Sequence, residues 1–247
     1  MYDIHCHLVY GVSDGPGSRD SAVAMLQQAK QNGVTGINAV AHFGPWHESL
    51  PEIVGSLQAA ADAAGIILHS GIEYDFSHLL EHDLDWRTIG PQSHYLLCDF
   101  NSSRIPFSAK ARFRELASAG YGIVIVHPET LFGPSEIDPL ISLKDTRAVI
   151  QINAANLLPD ANPRVRSMAW KLLRRNLVDA VASDAHRPDG SRRNRLAEAR
   201  QLVAAECGNA TARILFDVNP ERLLVDKAPF ETDIQPRAWW RRFLPGR

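Results

Sequence analysis

Short apolar runs alternate along the chain with longer segments of helical pattern. The short runs predict seven strands, at residues 3–7, 36–41, 66–72, 95–99, 122–127, 148–152 and 180–183. The longer segments predict helices, at residues 18–32, 50–64, 108–119, 162–175 and 192–207. The first two helices run into Gly33 and Gly65, and glycine is typical of a helix C-terminus. Strands that alternate with helices in one series predict βαβ units, a mostly parallel sheet and a single-domain α/β barrel.

The same pattern sets the limits of the barrel. We predict that it spans residues 1–224, because beyond them the pattern dissolves into proline-containing coil. Residues 225–247 are predicted to form a C-terminal tail, in which Trp239, Trp240 and Phe243 stand among arginines. This composition suits contact with a membrane surface or a partner, or plain packing or fraying of the tail. The segment 74–92 is rich in His, Asp and Glu and is predicted to cross the barrel mouth.

Composition places the chain among ordinary globular proteins. Hydrophobic residues make up 45% of the 247 and charged residues 22%, and the net charge of −2 provides no overall basic field for nucleic acid. No apolar run approaches the roughly 18 residues of a spanning helix, and no secretory signal opens the sequence. The three cysteines form no CxxC pair, so we expect a reduced, cytoplasmic setting. The sequence leaves the oligomeric state open.

A His-x-His pair lies in the first predicted strand. Side chains alternate between faces along a strand, so His5 and His7 share one face while Cys6 points to the other. Two imidazoles on one face are able to hold a metal ion, and Asp3 on the same face is placed to orient one of them. The alternative for this motif alone is a pair of core histidines. Cys6 is interpreted as a packing residue.

Further metal-capable side chains stand at the ends of other predicted strands. In a parallel barrel these ends surround one mouth, where active sites form. Any one polar strand end is weak evidence, but several that converge on His, Asp and Glu are a strong joint signal. The side chains in question are His42, Glu73, Asp99, His127, Asp184 and His186.

The ligand types narrow the chemistry. Nitrogen and oxygen donors without a thiolate suit Zn, Mn or Fe in a hydrolytic site and not a structural zinc site. The number of donors exceeds the need of one ion, so we expect two or three divalent ions that act on a phosphoryl group. The loop Gly11–Gly17 is able to bring Asp14 back into the mouth, although an Asp-Gly turn is its simpler interpretation. No Cys-x5-Arg loop is present, which argues against a phosphocysteine mechanism.

Several of these segments together resemble a known superfamily. The segments Asp3-Ile4-His5-Cys6-His7, Gly11-Val12-Ser13-Asp14-Gly15-Pro16, Gly71-Ile72-Glu73, His127-Pro128-Glu129, Gln151-Ile152-Asn153-Ala154 and Ala182-Ser183-Asp184-Ala185-His186 are similar to those of the polymerase-and-histidinol-phosphatase (PHP) superfamily. Within it, the chain most resembles the bacterial protein-tyrosine phosphatases of capsular and extracellular polysaccharide synthesis.

The resemblance implies a fold, a metal centre and a reaction. The fold is a distorted (β/α)7 barrel with a trinuclear centre, manganese being one candidate metal, and the reaction is phosphomonoester hydrolysis. The implied substrate is phosphotyrosine on a kinase of polysaccharide assembly. The implied ligands are His5, His7, Asp14, His42, Glu73, Asp99, His127, Asp184 and His186.

The sequence departs from this branch at two positions. Thr130 stands where the branch usually has an arginine, whose bidentate hydrogen bonds to a phosphoryl group a threonine does not supply. Asp99 stands where glutamate is more usual. We expect another arginine to serve, or a different substrate. The candidate arginines, each of which is also readable as solvated surface, are Arg104, Arg187, Arg192 and Arg193.

Predicted roles complete this interpretation. We assign His42, Asp184 and Arg187 to catalysis. Trp46 and His47 follow the second strand and either line a substrate pocket or pack as a loop. The predicted substrate-binding residues are Trp46, His47, Arg104, Arg187 and Arg192.

Three alternatives to the tyrosine phosphatase stay open. The first is a small-molecule phosphatase of the same superfamily that acts on histidinol phosphate, a nucleotide or a sugar phosphate, and Thr130 favours it. The second is a metal-binding regulatory protein with little turnover. The third is amidohydrolase chemistry, which also uses a His-x-His pair and an aspartate at a barrel mouth.

Overall fold

Seven parallel strands surround the centre of the molecule. A computed structural model describes residues 1–81 and 85–234. The strands follow one another round the sheet in chain order from β1 to β7. They are β1 (Tyr2–Cys6), β2 (Gly36–His42), β3 (Ile67–Asp75), β4 (Tyr95–Asp99), β5 (Gly122–Val126), β6 (Ala148–Asn153) and β7 (Ala180–Ala182). All seven predicted strands are confirmed, and the ends of each lie within three residues of the predicted ones.

The first and last strands meet at a short seam. Cys6 forms an isolated parallel bridge with Ala185, just beyond β7. The backbone N–H of Asp184 donates to the carbonyl of His5 at 2.8 Å, and that of His7 donates to Ala185 at 2.9 Å. The sheet is therefore a nearly closed barrel in a single domain, as the distorted (β/α)7 prediction required.

Helices surround the strands. They are α1 (Arg19–Gln31), α2 (Leu50–Gly55), α3 (Gln58–Ala64), α4 (Ala109–Ser118), α5 (Pro128–Leu131), α6 (Ile137–Leu143), α7 (Pro163–Arg174), α8 (Leu196–Cys207), α9 (Asn209–Arg213) and α10 (Asn219–Leu224). The hydroxyl of Ser18 accepts from the N–H of Ser21 and caps α1, and the side chain of Asn162 caps α7 in the same way. A π-helical turn at Ile214–Val218 leads from α9 into α10.

The structure corrects three sequence-based predictions about helices and loops. The predicted helix 50–64 is divided into α2 and α3, and the helix predicted to begin at residue 192 begins at Leu196. The segment 74–92 was predicted to cross the mouth. Instead, the guanidinium of Arg112 on α4 donates to the carbonyls of Leu79 and Glu81, and Ile89 bonds to Tyr95 at the start of β4. Residues 85–92 therefore lead back to the amino-terminal end of the barrel.

Two apolar clusters leave one end of the barrel polar. The larger cluster lies between the strands and the surrounding helices. A smaller one fills the barrel interior with small aliphatic side chains such as Ile4 and Val124, and Leu223 and Leu224 of α10 join it. Apolar packing therefore fills the interior, and the histidines and carboxylates lie at the carboxyl ends of the strands.

The last described residues are held by Asn219 of α10 and by Asn176, which follows α7. Asn219 holds Phe230 through two hydrogen bonds, and the N–H of Ile234 donates to Asn176 at 2.7 Å. Residues 235–247, with most of the predicted tail, lie outside the described residues, so the boundary at residue 224 stays a prediction. Within the described ranges, no helix has both the length and the apolar character to cross a bilayer.

Candidate active site

The His-x-His pair forms the centre of the barrel mouth. Both imidazoles are almost completely buried, and the Nε2 atoms of His5 and His7 lie 3.0 Å apart. Two backbone hydrogen bonds across the seam, from Asp184 to His5 and from His7 to Ala185, hold this stretch of β1 in place. The two rings are therefore adjacent, and that they share one metal site stays a prediction.

Glu73, near the end of β3, lies among four histidines. Its Oε2 is 3.0 Å from Nε2 of His7 and 3.3 Å from both Nε2 of His5 and Nδ1 of His42. Its Oε1 is 3.0 Å from Nε2 of His127, which follows β5. The carboxyl group is only 1% exposed, so four imidazoles surround one buried acid.

Two aspartates extend this cluster. Oδ1 of Asp184 lies 3.5 Å from Nε2 of His7 and 3.6 Å from Nδ1 of His186. Asp14, from the glycine-rich loop, lies 3.1 Å from Nε2 of His186 and 3.5 Å from Nε2 of His42. The loop therefore brings Asp14 back to the mouth, as predicted.

The donor atoms fall into three adjoining groups, each with its atoms within 4.8 Å of one another. The first and second share His7, and the second and third share His5. In the described ranges, Asp99 belongs to none of the three: it lines the same pocket and accepts a hydrogen bond from the N–H of Asn101. The groups are His7, Asp14, His42 and His186; His5, His7 and Asp184; and His5, Glu73 and His127.

This donor set fits divalent metal ions. Oε2 of Glu73 and the Nδ1 atoms of His7 and His127 are buried, and in the described part of the chain they make no hydrogen bond. Buried polar atoms are nearly always satisfied, so atoms left without a hydrogen bond at a cluster of nitrogen and oxygen donors are consistent with ligation.

The charges within the cluster shift the pKa values of its members strongly. Burial opposes protonation of His5 and His127, but the adjacent carboxylate of Glu73 outweighs it and raises their pKa values to about 9 and about 10. Burial lowers the pKa of His7 to about 4. Burial favours the neutral acid of Glu73, yet the charge of His5 and the hydrogen bond from His127 hold its pKa well below the usual range. Such perturbation is typical of functional sites.

Two ligand candidates have a strained backbone. His127 and Asp184 have φ values of 35° and 50°, in the left-handed region that non-glycine residues rarely adopt. Each follows the last residues of a strand at the mouth. Strain of this kind persists only where the surroundings enforce it, and it is concentrated at functional sites.

A polar chain behind the ligands was not predicted. Oε1 of Gln151 lies 2.9 Å from Nδ1 of His5, and its amide donates to Asn153 at 2.9 Å. Asn153 in turn donates to Oδ2 of Asp184 at 2.6 Å, and its N–H donates to Glu129 at 2.8 Å. The available signal was the pair Gln151 and Asn153, two positions apart on an otherwise apolar strand.

Asp3 has a different role from the one predicted. Its carboxylate accepts from the N–H of Ser183 at 2.9 Å and from the side chain of Asn194 at 3.1 Å. Burial raises its pKa to about 6. The residue that orients His5 is Gln151, and Asp3 instead joins the start of β1 to the end of β7.

Comparison with known proteins identifies the family of this chain. The family model described as capsular polysaccharide synthesis, CpsB/CapC, matches residues 1–225. The chain belongs to the CpsB/CapC family.

Relatives of this family carry phosphatase names. A candidate tyrosine-protein phosphatase CapC of Staphylococcus aureus is 32% identical over 75% of this chain and 77% of its own length. Tyrosine-protein phosphatase YwqE of Bacillus subtilis is 28% identical over 96% of both chains. A crystal structure from work on YwqE of Bacillus subtilis and CpsB of Streptococcus pneumoniae, described as metal-dependent tyrosine phosphatases, matches 96% of this chain and 99% of its own, with a TM-score of 0.82 and 25% identity.

The chain is also similar to more distantly related barrel proteins, but this similarity extends to the fold only. A D-hydantoinase structure matches with a TM-score of 0.51 at 13% identity and covers 93% of this chain. The CpsB/CapC chain thus shares its barrel with other hydrolases, and its chemistry has to be argued from its own side chains.

The predicted arginines lie at different places around the CpsB/CapC mouth. Arg192 lines the pocket, where its guanidinium donates to Asp14 at 2.9 Å and contacts Nε2 of His186. Arg187 donates to the backbone carbonyls of Asp14 and Gly15, both at 2.7 Å. Arg193 forms an exposed ion pair with Glu198.

The other predicted substrate residues lie outside the pocket lining. Arg104 is exposed in the loop after β4. The indole N–H of Trp46 donates to the carbonyl of His42 at 2.9 Å, and the ring of His47 lies 5.5 Å from that of Phe43. The loop that follows β2 is therefore packed on itself.

The pocket itself is small and open. Its volume is about 230 Å³, and the half-exposed side chain of His42 forms part of its wall. Thr130 lines it too, but the threonine hydroxyl donates to the carbonyl of His127 at 2.8 Å. In this arrangement, Arg192 is the arginine among the pocket-lining residues that the structure describes.

Proposed function

We propose that this chain is a metal-dependent protein-tyrosine phosphatase that acts on a phosphorylated kinase of polysaccharide assembly in the cytoplasm. The observation that carries the proposal is the convergence of eight of the nine predicted ligands on three adjoining donor groups beside a pocket lined by an arginine. The names of the CapC and YwqE relatives support the substrate class. The three free cysteines support a reducing compartment.

The residues that would hold the metals are those of the three groups. We propose two or three ions of Mn, Fe or Zn, ligated by His5, His7, Asp14, His42, Glu73, His127, Asp184 and His186. When bound, such ions supply Lewis acidity toward phosphate oxygens and make water a stronger nucleophile near neutral pH. Asp99 stays a predicted ligand, but its carboxylate lies outside the three donor groups and would have to extend further to bind an ion.

The side chains around the ligands fix their orientation. Gln151 holds the Nδ1 edge of His5 so that Nε2 faces the mouth, and Asn153 holds one oxygen of Asp184 so that the other faces the histidines. Ligands held in this way need no rearrangement on binding, which strengthens a metal site. Gln151 and Asn153 are therefore positioning residues.

Substrate binding is assigned to Arg192. Its guanidinium already contacts two acceptors at the pocket wall, and a phosphate oxygen is the type of acceptor it prefers. Arg187 serves the same end indirectly, since it fixes the loop that presents Asp14. We propose that His42, which is 38% exposed at the pocket, is the group nearest to an entering phenolic ester.

The shape of the site suits a phosphorylated side chain. A shallow pocket with exposed walls admits a residue presented on the surface of another protein, whereas a metabolite site is usually deeper and more enclosed. The residues that line the pocket lie at the strand ends and in the loops that follow them, away from the apolar core. A side chain on the surface of another protein is therefore able to reach the pocket directly.

One observation favours a small phosphomonoester as a second candidate substrate. Thr130 occupies the pocket position at which the branch usually has an arginine, and its hydroxyl is turned to the backbone. The variant Thr130→Arg separates the two cases. We expect it to raise kcat/KM on a phosphotyrosine peptide more than on small sugar or nucleotide phosphates. A gain restricted to the small esters would favour the second candidate.

The decisive experiment is hydrolysis of a phosphotyrosine peptide by protein reconstituted with Mn, Fe or Zn. We expect turnover that is abolished in His127→Ala and Asp184→Ala. The matched controls are His94→Ala and Asp160→Ala, which remove a histidine and an aspartate that pair with Asp226 and Arg195 away from the mouth. No turnover by fully metal-loaded protein would contradict the tyrosine-phosphatase assignment.

A further inference from the structure

A phenylalanine in the loop between β4 and α4 is fully exposed. This residue is Phe107, and the next most exposed large apolar side chains in the described ranges, Ile67 and Phe230, are only about half exposed. A phenylalanine ring has roughly 150–250 Å² of surface to bury, so its full exposure to water is unfavourable. Single exposed apolar side chains are common, so the position of this one on the molecule matters more than its exposure.

The loop of residues 100–108 belongs to the barrel mouth. It follows Asp99, which is the last residue of β4 and lines the pocket. Near the other end of the loop, the N–H of Ile105 donates to Oε2 of Glu136 at 3.1 Å. Glu136 lies shortly after α5, the helix that brings Thr130 to the pocket. The loop is therefore attached to the mouth at the carboxyl ends of two neighbouring strands, β4 and β5.

Contacts on both sides of Phe107 hold the backbone of the loop in place. Phe100, at its beginning, is buried in a cluster of aromatic rings. Ile105 packs against the apolar core, and the carbonyl of Pro106 accepts from the N–H of Ala109 at 3.0 Å. The ring of Phe107 is thus presented to solvent by an ordered backbone. A preorganised contact of this kind loses little conformational entropy when a partner binds.

An exposed arginine accompanies the ring. Arg104 stands three residues before Phe107, and in the described part of the chain its guanidinium forms no ion pair. By contrast, Arg192 at the pocket pairs with Asp14. Phenylalanine and arginine are both enriched where proteins contact one another. An unpaired cation beside an apolar ring is complementary to a partner that carries an acidic and an apolar side chain.

We propose that Phe107 and Arg104 bind the polypeptide on one side of the phosphotyrosine in a protein substrate. An apolar side chain of the substrate packs on the ring, and an acidic one pairs with the guanidinium. The inference rests on the phosphatase function proposed above and narrows its substrate to phosphotyrosine with apolar and acidic neighbours. A small phosphomonoester enters the pocket without contacting this loop, so the two residues favour protein substrates over small ones.

The position of Phe107 along the chain sets the length of substrate that can reach it. Phe107 comes eight residues after Asp99. It therefore lies at most about 29 Å from the pocket lining, at about 3.6 Å per residue. An extended substrate covers the same span with about eight residues, so shorter peptides are not certain to reach the ring.

Steady-state kinetics of the metal-loaded full chain on three probes test the proposal. Two are peptides with about eight residues on each side of a central phosphotyrosine, flanked by leucine and glutamate or by leucine and lysine. The third is free phosphotyrosine. Phe107→Ala should raise KM on both peptides by about 10-fold or more, the effect of losing one buried phenylalanine ring. It should leave kcat and the KM for free phosphotyrosine unchanged, because the lost contact is made equally in the ground and transition states.

Arg104→Glu tests the charge of the same site. The unmodified chain should have a lower KM for the glutamate peptide than for the lysine peptide, by about 2- to 5-fold, as expected of an exposed ion pair. Arg104→Glu should reverse this preference, and added salt should weaken it in both proteins. Unchanged preference in the variant would remove Arg104 from the site.

Two control variants match these changes at the other end of the barrel. Phe230→Ala removes a half-exposed ring held by Asn219, which also bonds to Asp179 just before β7. Arg175→Glu reverses an exposed arginine directly after α7. Both should leave the KM values for all three probes unchanged.

Two results would overturn the proposal. The first is an unchanged peptide KM in Phe107→Ala, and the second is an equal rise in KM for the peptides and for free phosphotyrosine. Concentration-dependent self-association that Phe107→Ala abolishes, with the peptide KM unchanged, would assign the ring to a second copy of the chain. A failure of the phosphatase function is distinguishable, because the unmodified chain itself would then hydrolyse neither peptide, and the docking proposal would fall with it.

Discussion

The side-chain amide of Asn153 donates a hydrogen bond to Oδ2 of Asp184 at 2.6 Å. Through this contact, the end of β6 fixes a carboxylate that follows β7. The other oxygen of Asp184 remains directed at the histidines of β1, at 3.5 Å from Nε2 of His7. Asn153 is in turn held by Gln151, which contacts His5 on its other side. Two of the proposed ligands are thus coupled through a pair of amides that touch no substrate.

Asn153→Ala is expected to lower metal affinity and kcat by about 10- to 100-fold each, the usual effect of losing a group that orients a ligand. KM should change little, because Asn153 does not line the pocket. The measurement is metal binding by isothermal calorimetry together with steady-state kinetics. Asn156→Ala is the matched control, since Asn156 bonds to Glu129 but not to Asp184. Equal losses in both variants would contradict the positioning role of Asn153.

Arg192→Ala is expected to lower kcat/KM on a phosphotyrosine peptide by about 10²- to 10³-fold, the range found when a preorganised donor to the transition state is removed. Arg192→Lys should recover a part of this loss, since it restores the charge but not the planar fork. Metal content should stay constant in both. Arg193→Ala removes the neighbouring guanidinium, which pairs with Glu198, and should leave kcat/KM unchanged. A normal kcat/KM in Arg192→Ala would assign phosphate binding to another group.

Glu129 is expected to contribute to stability through its acceptor oxygen. Oε1 accepts from the N–H of Asn153 and from the side chain of Asn156, both at 2.8 Å. Glu129→Leu leaves both donors unpaired and should lower the free energy of unfolding by about 2–5 kcal/mol. Glu129→Gln keeps the acceptor and should lower it by less than about 1.5 kcal/mol. Urea unfolding in the presence of a chelator measures both, and similar losses in the two variants would exclude the hydrogen-bond explanation.

His69 is expected to make stability depend on pH. Burial lowers the pKa of this half-buried ring below its ordinary 6.5. A base with a lowered pKa binds protons more weakly when folded, so its contribution is complete above pH 6.5 and is lost as the pH falls toward the folded value. His69→Gln should therefore gain stability relative to the unmodified chain on acidification, by less than about 1 kcal/mol because solvent screens the ring. Thermal melts at several pH values test this, and a pH-independent difference would refute it.

The order of the strands and the position of the site were predictable from the sequence. An apolar run predicts a strand, and the His, Asp or Glu that follows it predicts that the carboxyl end of this strand lies at the barrel mouth. The stretch from Ile123 to His127 is an example, because four aliphatic residues define β5 and the histidine directly after it reaches Glu73. The local pattern and the global fold agree at such positions, so one strand end after another could be placed at the same mouth.

Contacts between distant parts of the chain were not predictable in the same way. Asp3 was expected to orient a histidine because strict alternation puts it on the same face as His5. The pairing of β1 with β2 is irregular between Asp3 and Cys6, and the nearest donors to Asp3 come from residues 183 and 194. Neither the bulge in β1 nor a contact between residues 180 positions apart changes the local pattern of apolar and polar residues, so neither could be predicted from it. The division of the predicted helix into α2 and α3 was likewise not predictable from the local pattern: both pieces pack against β3, and α3 also packs against α1.

The seam between β1 and β7 determines when the donor groups of the site can assemble during folding. His5 and His7 belong to the first strand of the barrel and its end, whereas Asp184 and His186 follow the last strand. Two of the three donor groups come together only when these two strands meet across the hydrogen bonds from Asp184 to His5 and from His7 to Ala185. A folding intermediate in which β1 and β7 have not paired therefore has only the group of His5, Glu73 and His127, so we expect full metal affinity only in the closed barrel.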